Sequence, residues 1–521
     1  MLLIKFKLTM QKYIRNGLYL QSGFNMTSSP QNLPWQTMVR IQKSSERPVY
    51  LQLCDAVIIL IKQGIVKPGT KMPGTRAMAK DLNLNRQTVV KAYDELYAQG
   101  WFELVQSSGT FVSQQLPEVK PRKLDIENSE LLVSETTGYS FKINEEIHAP
   151  IKPNRNITGF HDGPDVRLVP AELLSRGYKS VLNRKSSRHL LSYTEPQGSD
   201  FVRKAISGYL NSSHGLQTNE NNILITRGTQ MAMFLLSEVL LSKGDIVISA
   251  ELGYRYSELT FMHSGATIIR VPVDDEGIDV DAVERVCRKK KIRALYVTSH
   301  HHYPTTVTLN ASRRMKLLHL AEQYKFIIIE DDYDYEFHYE SSPILPLASA
   351  DRSGMVVYIG SFSKTLTPGL RMGYIAAPPN LINEFTKLRM LIDVQGDSVM
   401  EQVIAELLNE GEIRRHMKKA LKIYRERRDF MCTTIKKKLS NVIDFSVPQG
   451  GLCIWAKYDK DVSLPELAHR LLKKEIILSP GRLHDISSGK KLNSTRMGFG
   501  WMNLNEAEKA ITILQDTIFK M

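Results

Sequence analysis

The run Ser361-Phe362-Ser363-Lys364-Thr365-Leu366-Thr367-Pro368-Gly369-Leu370-Arg371 sets one lysine among hydroxyls, with an arginine seven residues further on. Upstream, Ile327-Ile328-Ile329-Glu330-Asp331-Asp332-Tyr333 carries an apolar segment into carboxylates. A lysine amine can form an imine with an aldehyde. Hydroxyls and a guanidinium suit a phosphate dianion through charge-assisted hydrogen bonds. A carboxylate at the end of an apolar strand can keep a pyridinium nitrogen protonated. These are the parts that hold pyridoxal 5′-phosphate. On this reading Lys364 is the imine lysine and Ser361, Ser363 and Arg371 bind the phosphate. Arg227-Gly228-Thr229-Gln230 follows the strand-like Ile223–Thr226 and opens a helical run. Gly228, Thr229 and Gln230 would therefore offer N–H groups to the same phosphate. Asp331 would face the pyridine nitrogen, Tyr333 would donate to the phenolic oxygen, and Tyr254 would stack on the ring. Plainer readings compete: a solvated lysine, three acids that merely end a strand at Asp331, a core aromatic at Tyr254.

Residues 48–113 ask for different chemistry. Pro48 opens an apolar helix over Val49–Ile61. Thr75 can cap a short helix, Arg76–Leu82, and Asn85 a longer one, Arg86–Gln99, which Gly100 stops. Trp101–Val105 and Thr110–Ser113 then read as two strands around a tight turn. Helix, short helix, turn, longer helix and hairpin is the order of a winged helix-turn-helix. The longer helix would enter a DNA major groove by its N-terminus, presenting Arg86, Gln87 and Thr88 to base edges. Arg76 would lie near phosphates, and the tip Ser107-Ser108-Gly109 is small enough to approach a groove. A helix-turn-helix can also be an inert or protein-binding unit.

The net charge of the 521-residue chain is +14, and residues 1–115 hold 14 Lys/Arg against 6 Asp/Glu, or +8. That asymmetry favours a polyanion at the N-terminal end over generic solubilising charge. Cys54, Cys287, Cys432 and Cys453 are scattered without a Cys-x-x-Cys pair, so no zinc site or disulfide framework is expected. The three adjacent histidines His300, His301 and His302 would not converge on one metal ion. No apolar run reaches the ~18–20 residues of a membrane span and no secretory leader is evident, which points to a cytoplasmic protein.

Residues 1–45 read as an irregular extension, with Met26 a candidate natural start, and 46–115 as the winged unit. Pro117, Pro121, Pro150 and Pro153 mark a linker over 116–155. From 156 to 521, strand-like segments such as Asp245–Ala250, Ala294–Thr298, Phe326–Asp331 and Met355–Gly360 alternate with helical patterns, the signature of an α/β domain with a mainly parallel sheet.

Tyr50-x-Gln52, Pro68-Gly69-x-Lys71-x-Pro73-x-x-Arg76, Arg86-x-Thr88-Val89-x-x-Ala92-Tyr93 and Gly109-Thr110-Phe111-Val112 closely resemble the GntR-type winged-helix family. The Lys364 region, with Gly163-Pro164-Asp165, Tyr193-x-x-Pro196-x-Gly198, Pro448-x-Gly450-Gly451 and Arg496-Met497-Gly498-Phe499, resembles fold-type I aminotransferases. Joined, residues ~48–521 resemble the MocR subgroup of GntR regulators. The resemblance implies a transcriptional regulator binding double-stranded operator DNA, its enzyme-like domain sensing pyridoxal phosphate itself or an amine or amino-acid effector. It implies a head-to-tail homodimer in which Tyr193 reaches the neighbouring subunit's phosphate site, and Arg496 as the anchor for an effector α-carboxylate. Leu252, Tyr303 and Thr306 depart from the family pattern and bear more on efficient catalysis than on cofactor binding. A working aminotransferase with an accessory head, and a DNA-binding dimer on an inert scaffold, are the alternatives.

Overall fold

In the computed structural model, which describes residues 33–105, 108–117, 137–142, 158–340, 344–481, 484 and 492–521, the chain divides into two units, Met1–Lys142 and Ile143–Met521. Met26, Ser107, Pro121, Pro150 and Pro153, with most of the expected linker, fall outside the described residues.

The N-terminal unit contains α1 (Trp35–Met38), α2 (Val49–Lys62), α3 (Thr75–Leu82), α4 (Arg86–Ala98), β1 (Phe102–Val105) and β2 (Gly109–Val112). Helix α2 starts at Pro48, whose backbone is extended, and buries Leu53, Cys54, Val57, Leu60 and Ile61 along one face. Asn85 caps α4 as expected, its side chain accepting from the Gln87 N–H. Thr75 does not cap α3. The cap is the extended Gly74, and Thr75 is already the first helical residue, with no side-chain cap bond. Antiparallel pairing of Phe102 with Val112 starts the hairpin one residue after Trp101, which is buried instead.

The expected irregular stretch before residue 46 is not wholly irregular. Trp35 and Val39 lie on successive turns and are buried with Leu53, Met78 and Leu96 in the core of this unit. Burial of the two apolar side chains at this spacing offsets part of the entropy lost in ordering the segment.

The second unit is built on a seven-stranded sheet. Its strands are β3 (Ile223–Thr226), β4 (Ile246–Ala250), β5 (Thr267–Val271), β6 (Ala294–Val297), β7 (Ile327–Asp332), β8 (Val356–Ser361) and β9 (Gly373–Ala376), in the spatial order β3-β9-β8-β7-β6-β4-β5. Every neighbouring pair is parallel except the two made by β9. Strands β3, β6 and β8 are almost wholly buried, as helices cover both faces. Asp331 does not end its strand: β7 continues through Asp332, because β8 continues beside it, with Asp331 opposite Ile359 and Asp332 opposite Gly360. A smaller sheet pairs β10 (Cys453–Tyr458) with β11 (Ser494–Gly498) antiparallel, so that Trp455 faces Arg496. The long helix Glu412–Leu439 and the terminal helix Leu504–Ile518 pack with this sheet in one core. All four cysteines are buried free thiols. Among the described residues no helix is long and apolar enough to cross a membrane.

Trp35→Ala should destabilise the N-terminal unit by about 3–5 kcal/mol. Chemical denaturation would show this as an earlier transition; an unchanged profile would remove α1 from the core.

Candidate functional site

Parallel strands bring their carboxyl ends to one edge of the sheet, where ligands of open α/β folds bind. Here that edge collects the end of β7 with Asp331, the end of β8 leading to Lys364, and the end of β3 leading to Gly228. Gly373, at the start of β9, sits between Ser361 of β8 and Thr226 of β3 and ties the last two together.

Lys364 lies in the short helix Phe362–Thr365 that starts at the end of β8. Its Nζ donates to the Asp162 carbonyl at 2.7 Å and lies 3.9 Å from the Asp162 carboxylate. Ser361 caps this helix, accepting from the Ser363 N–H at 3.0 Å, and its hydroxyl meets that of Ser363 at 2.9 Å. Arg371, in the left-handed region at φ 49°, donates to the Arg227 carbonyl at 2.7 Å. Gly228 has φ 84°, and a Cβ there would lie 3.0 Å from the Arg371 guanidinium, so glycine both permits the turn and leaves room for the arginine. Behind it runs the helix Thr229–Leu240, whose first-turn N–H groups lack intrahelical acceptors. The Gln230 side chain, however, is committed to the Thr260 hydroxyl at 2.9 Å, leaving only its backbone to serve a phosphate.

Asp331 is buried and accepts from the Tyr296 hydroxyl at 2.9 Å through one oxygen. Its other oxygen, Oδ1, is buried with no partner among the described residues. Asp332 Oδ1 is also without a partner, but alternation along the strand sends that residue to the opposite face, where it meets the Tyr358 hydroxyl at 3.0 Å. Burial raises the Asp331 carboxyl to about 7. Burial and then the Asp331 charge push the Tyr254 hydroxyl up to about 12, while Arg371 pulls it down, so Tyr254 shares this electrostatic neighbourhood. Tyr333 gives its proton to the His301 carbonyl at 2.9 Å rather than keeping it for a ligand oxygen. His300, His301 and His302 take separate partners: the Ile344 carbonyl, Asp334 and the Thr305 hydroxyl.

Arg496 is buried, with 3 % exposure, over the Tyr303 ring at 4.7 Å. It is ion-paired with Asp162, which the sequence reading missed, although Asp162 directly precedes the Gly163-Pro164 pair it noticed. Tyr296 was missed too; its only signal was a lone phenol in an apolar strand. Tyr193 is 86 % exposed and makes no hydrogen bond or ring contact with the other site residues.

In the N-terminal unit, Arg76, Arg86 and Gln87 are exposed and Thr88 half-buried. The turn before α4 is formed by Asn83 in the left-handed region, and Tyr93 of α4 ties down the segment entering α3 by donating to the Pro73 carbonyl at 2.9 Å. Neither Arg76 nor Arg86 makes an ion pair with a described residue, and Ser108 and Gly109 are exposed at the hairpin.

Residues 168–514 match the model of the aminotransferase class I and II family, two-thirds of the chain, and residues 49–112 match that of the bacterial regulatory proteins of the gntR family. The chain belongs to the aminotransferase class I and II family and carries a gntR-type helix-turn-helix head, with pyridoxal 5′-phosphate the cofactor of that family. Over 90 % of this chain and 96 % of its own length, the HTH-type transcriptional regulator YdfD of Bacillus subtilis is 29 % identical. The probable rhizopine catabolism regulatory protein MocR of Rhizobium meliloti is 27 % identical over 81 % of this chain and 84 % of its own. The multiple substrate aminotransferase of Thermococcus profundus superposes with TM-score 0.66 at 25 % identity, over 70 % of this chain and 92 % of its own.

The residues fit the cofactor chemically: the Asp331 oxygen without a partner among the described residues suits a protonated ring nitrogen, and Ser361, Ser363, Arg371 and the helix start after Gly228 are donors of the kind a phosphate needs. The folded Asp331 value of about 7 exceeds the unfolded value near ~3.9. In cofactor-free protein its contribution to stability is therefore complete below the unfolded value and is lost as pH rises through about 7. Asp331→Asn should leave a shallower fall in Tm between pH ~4 and ~7. Equal slopes in the two proteins would mean that Asp331 is ionised throughout.

Proposed function

We propose that this chain is a pyridoxal-phosphate-dependent DNA-binding transcriptional regulator whose aminotransferase-type unit serves as an effector sensor. The observation that carries the reading is the presence, in one chain, of the Lys364–Asp331–Arg371 set and a capped helix presenting exposed Gln87 and an Arg86 without an ion-pair partner among the described residues. Residues 46–115 form the DNA-binding head, 116–155 the linker and 156–521 the sensor.

Lys364 would hold the cofactor, Ser361, Ser363, Arg371 and the backbone of Gly228, Thr229 and Gln230 its phosphate, Asp331 its ring nitrogen, and Tyr254 its ring face. Tyr333 would have to leave the His301 carbonyl to donate to the phenolic oxygen. When bound, pyridoxal phosphate supplies a carbonyl carbon that primary amines attack and a ring that withdraws electrons. An effector amine, an amino acid or the cofactor itself can shift DNA affinity only by binding two arrangements of the protein unequally. Arg86, Gln87 and Thr88 would read base edges, and Arg76, Ser107, Ser108 and Gly109 would contact the backbone or groove.

A homodimer is part of this reading. The exposure of Tyr193 (86 %), Leu391 (83 %) and Leu191 (66 %) supports an apolar surface for a second copy, with Tyr193 reaching the partner's phosphate site. A DNA partner places the protein in the cytoplasm.

The test is a pair of measurements on the full chain. Wild type mixed with pyridoxal phosphate should show a visible band near ~420 nm, and Lys364→Ala should lose it while keeping the far-UV spectrum. A band retained in that variant would exclude Lys364 as the attachment point. Arg86→Ala should weaken binding to the chain's own upstream DNA by ~1–3 kcal/mol. Unchanged affinity would exclude the groove assignment, and a band without any DNA binding would favour an aminotransferase.

A further inference from the structure

Arg496 is the natural anchor for a ligand carboxylate in this pocket, and its guanidinium is already ion-paired with Asp162. Nη2 donates to Asp162 Oδ1 at 3.0 Å, Nε lies 2.9 Å from Asp162 Oδ2, and Nη1 donates to the Pro304 carbonyl at 3.2 Å. Oδ1 also accepts from the Cys453 thiol at 3.0 Å. The carboxylate of Asp162 thus stands where the carboxylate of an amino acid would stand, and its own backbone carbonyl holds Lys364 Nζ at 2.7 Å.

This placement is fixed by packing. Phe160, two residues before, is in the core, and its carbonyl accepts from the Gly498 N–H at 3.3 Å. A Cβ at Gly498 would lie 1.7 Å from the His161 carbonyl oxygen, so only glycine lets the segment run this close to the strand that carries Arg496. Three residues after, buried Asp165 is held by the Tyr424 hydroxyl at 3.1 Å and by Arg427 at 2.9 Å. With both flanks pinned, the backbone at Asp162 is held beside Arg496. An incoming carboxylate would have to break a charge-assisted pair and settle beside a second negative charge. A ligand without a carboxylate meets neither obstacle.

We propose that Asp162 is the specificity-determining residue of this pocket: by occupying Arg496 it directs the site to primary amines without an α-carboxylate rather than to amino acids. The proposal rests on the reading of the pocket as an effector site at Lys364.

The test uses the full chain as wild type and Asp162→Asn, with Asp162→Ser as a second variant should the first fail to fold. With pyridoxal phosphate bound, the visible spectrum is titrated with n-propylamine and with alanine. Wild type should bind n-propylamine at least about tenfold tighter than alanine, and the variants should shift that ratio towards alanine by about tenfold or more. The same ratio in wild type and variants would overturn the proposal. A second arm needs no cofactor: maleate, a carboxylate probe, should raise the Tm of the variants and not that of wild type. Equal maleate stabilisation would show that Asp162 does not block Arg496 and would also overturn the proposal. Absence of any spectral response to either amine would sink the effector reading, and the amine class with it, while the maleate arm still decides whether Asp162 holds Arg496.

Discussion

Burial of negative charge at one end of the central sheet is the constraint around which the second unit is arranged. Glu330, Asp331, Asp332 and Asp334 lie at or just beyond the end of β7, and all four are less than one-tenth exposed. A buried carboxylate is costly unless donors or cations satisfy it. Glu330 is met by the Ser299 hydroxyl and by the Leu347 and Ala348 N–H groups at 2.9 Å. Asp332 has the Tyr358 hydroxyl, and Asp334 has His301 at 2.8 Å. These partners fix the loop containing the three histidines and the segment after β7. Asp331 keeps one oxygen without a partner among the described residues, in the electrostatic neighbourhood of Tyr254.

The same need explains how the rest of the site is held. The phosphate-type donors converge because a single antiparallel strand, β9, pairs with both β8 and β3, bringing the serines and Gly228 to one edge. Arg371 can lie across that edge because residue 228 has no side chain. At the opposite side of the pocket Arg496, itself buried, would be an uncompensated cation without Asp162. Burial alone would raise the Asp162 carboxyl, but the Arg496 and Lys364 charges override this and hold it well below the usual carboxylate range. Two opposite charges therefore sustain each other within reach of Lys364.

The N-terminal unit follows a simpler logic. Its helices are held by apolar faces and one hairpin, and its polar surface is left unengaged. The Asn85 cap fixes where α4 begins, and so which residues stand at its exposed start. A mostly local set of contacts suffices because nothing charged has to be buried there. Trp35 shows that this core also recruits chain from before the first long helix.

Periodicity and caps are local properties, so the sequence alone determined the helix-turn-helix order and the alternation of strands and helices, and it singled out Lys364, Arg371, Gly228 and Asp331 as cofactor candidates. Those residues sit in short runs whose chemistry is legible in one dimension. It misjudged what depends on neighbours distant in the chain. Strand β7 runs on through Asp332 because β8 continues beside it, Thr75 lost its cap role to Gly74, and Trp35 found its core across residues the sequence left unrelated. Only the tertiary structure decided that Asp162 lies on Arg496, 334 residues away, and that the Tyr333 proton goes to His301, 32 residues away. Ion pairs and hydrogen bonds between remote segments depend on angstrom-scale approach, which sheet register and packing set and no local pattern encodes.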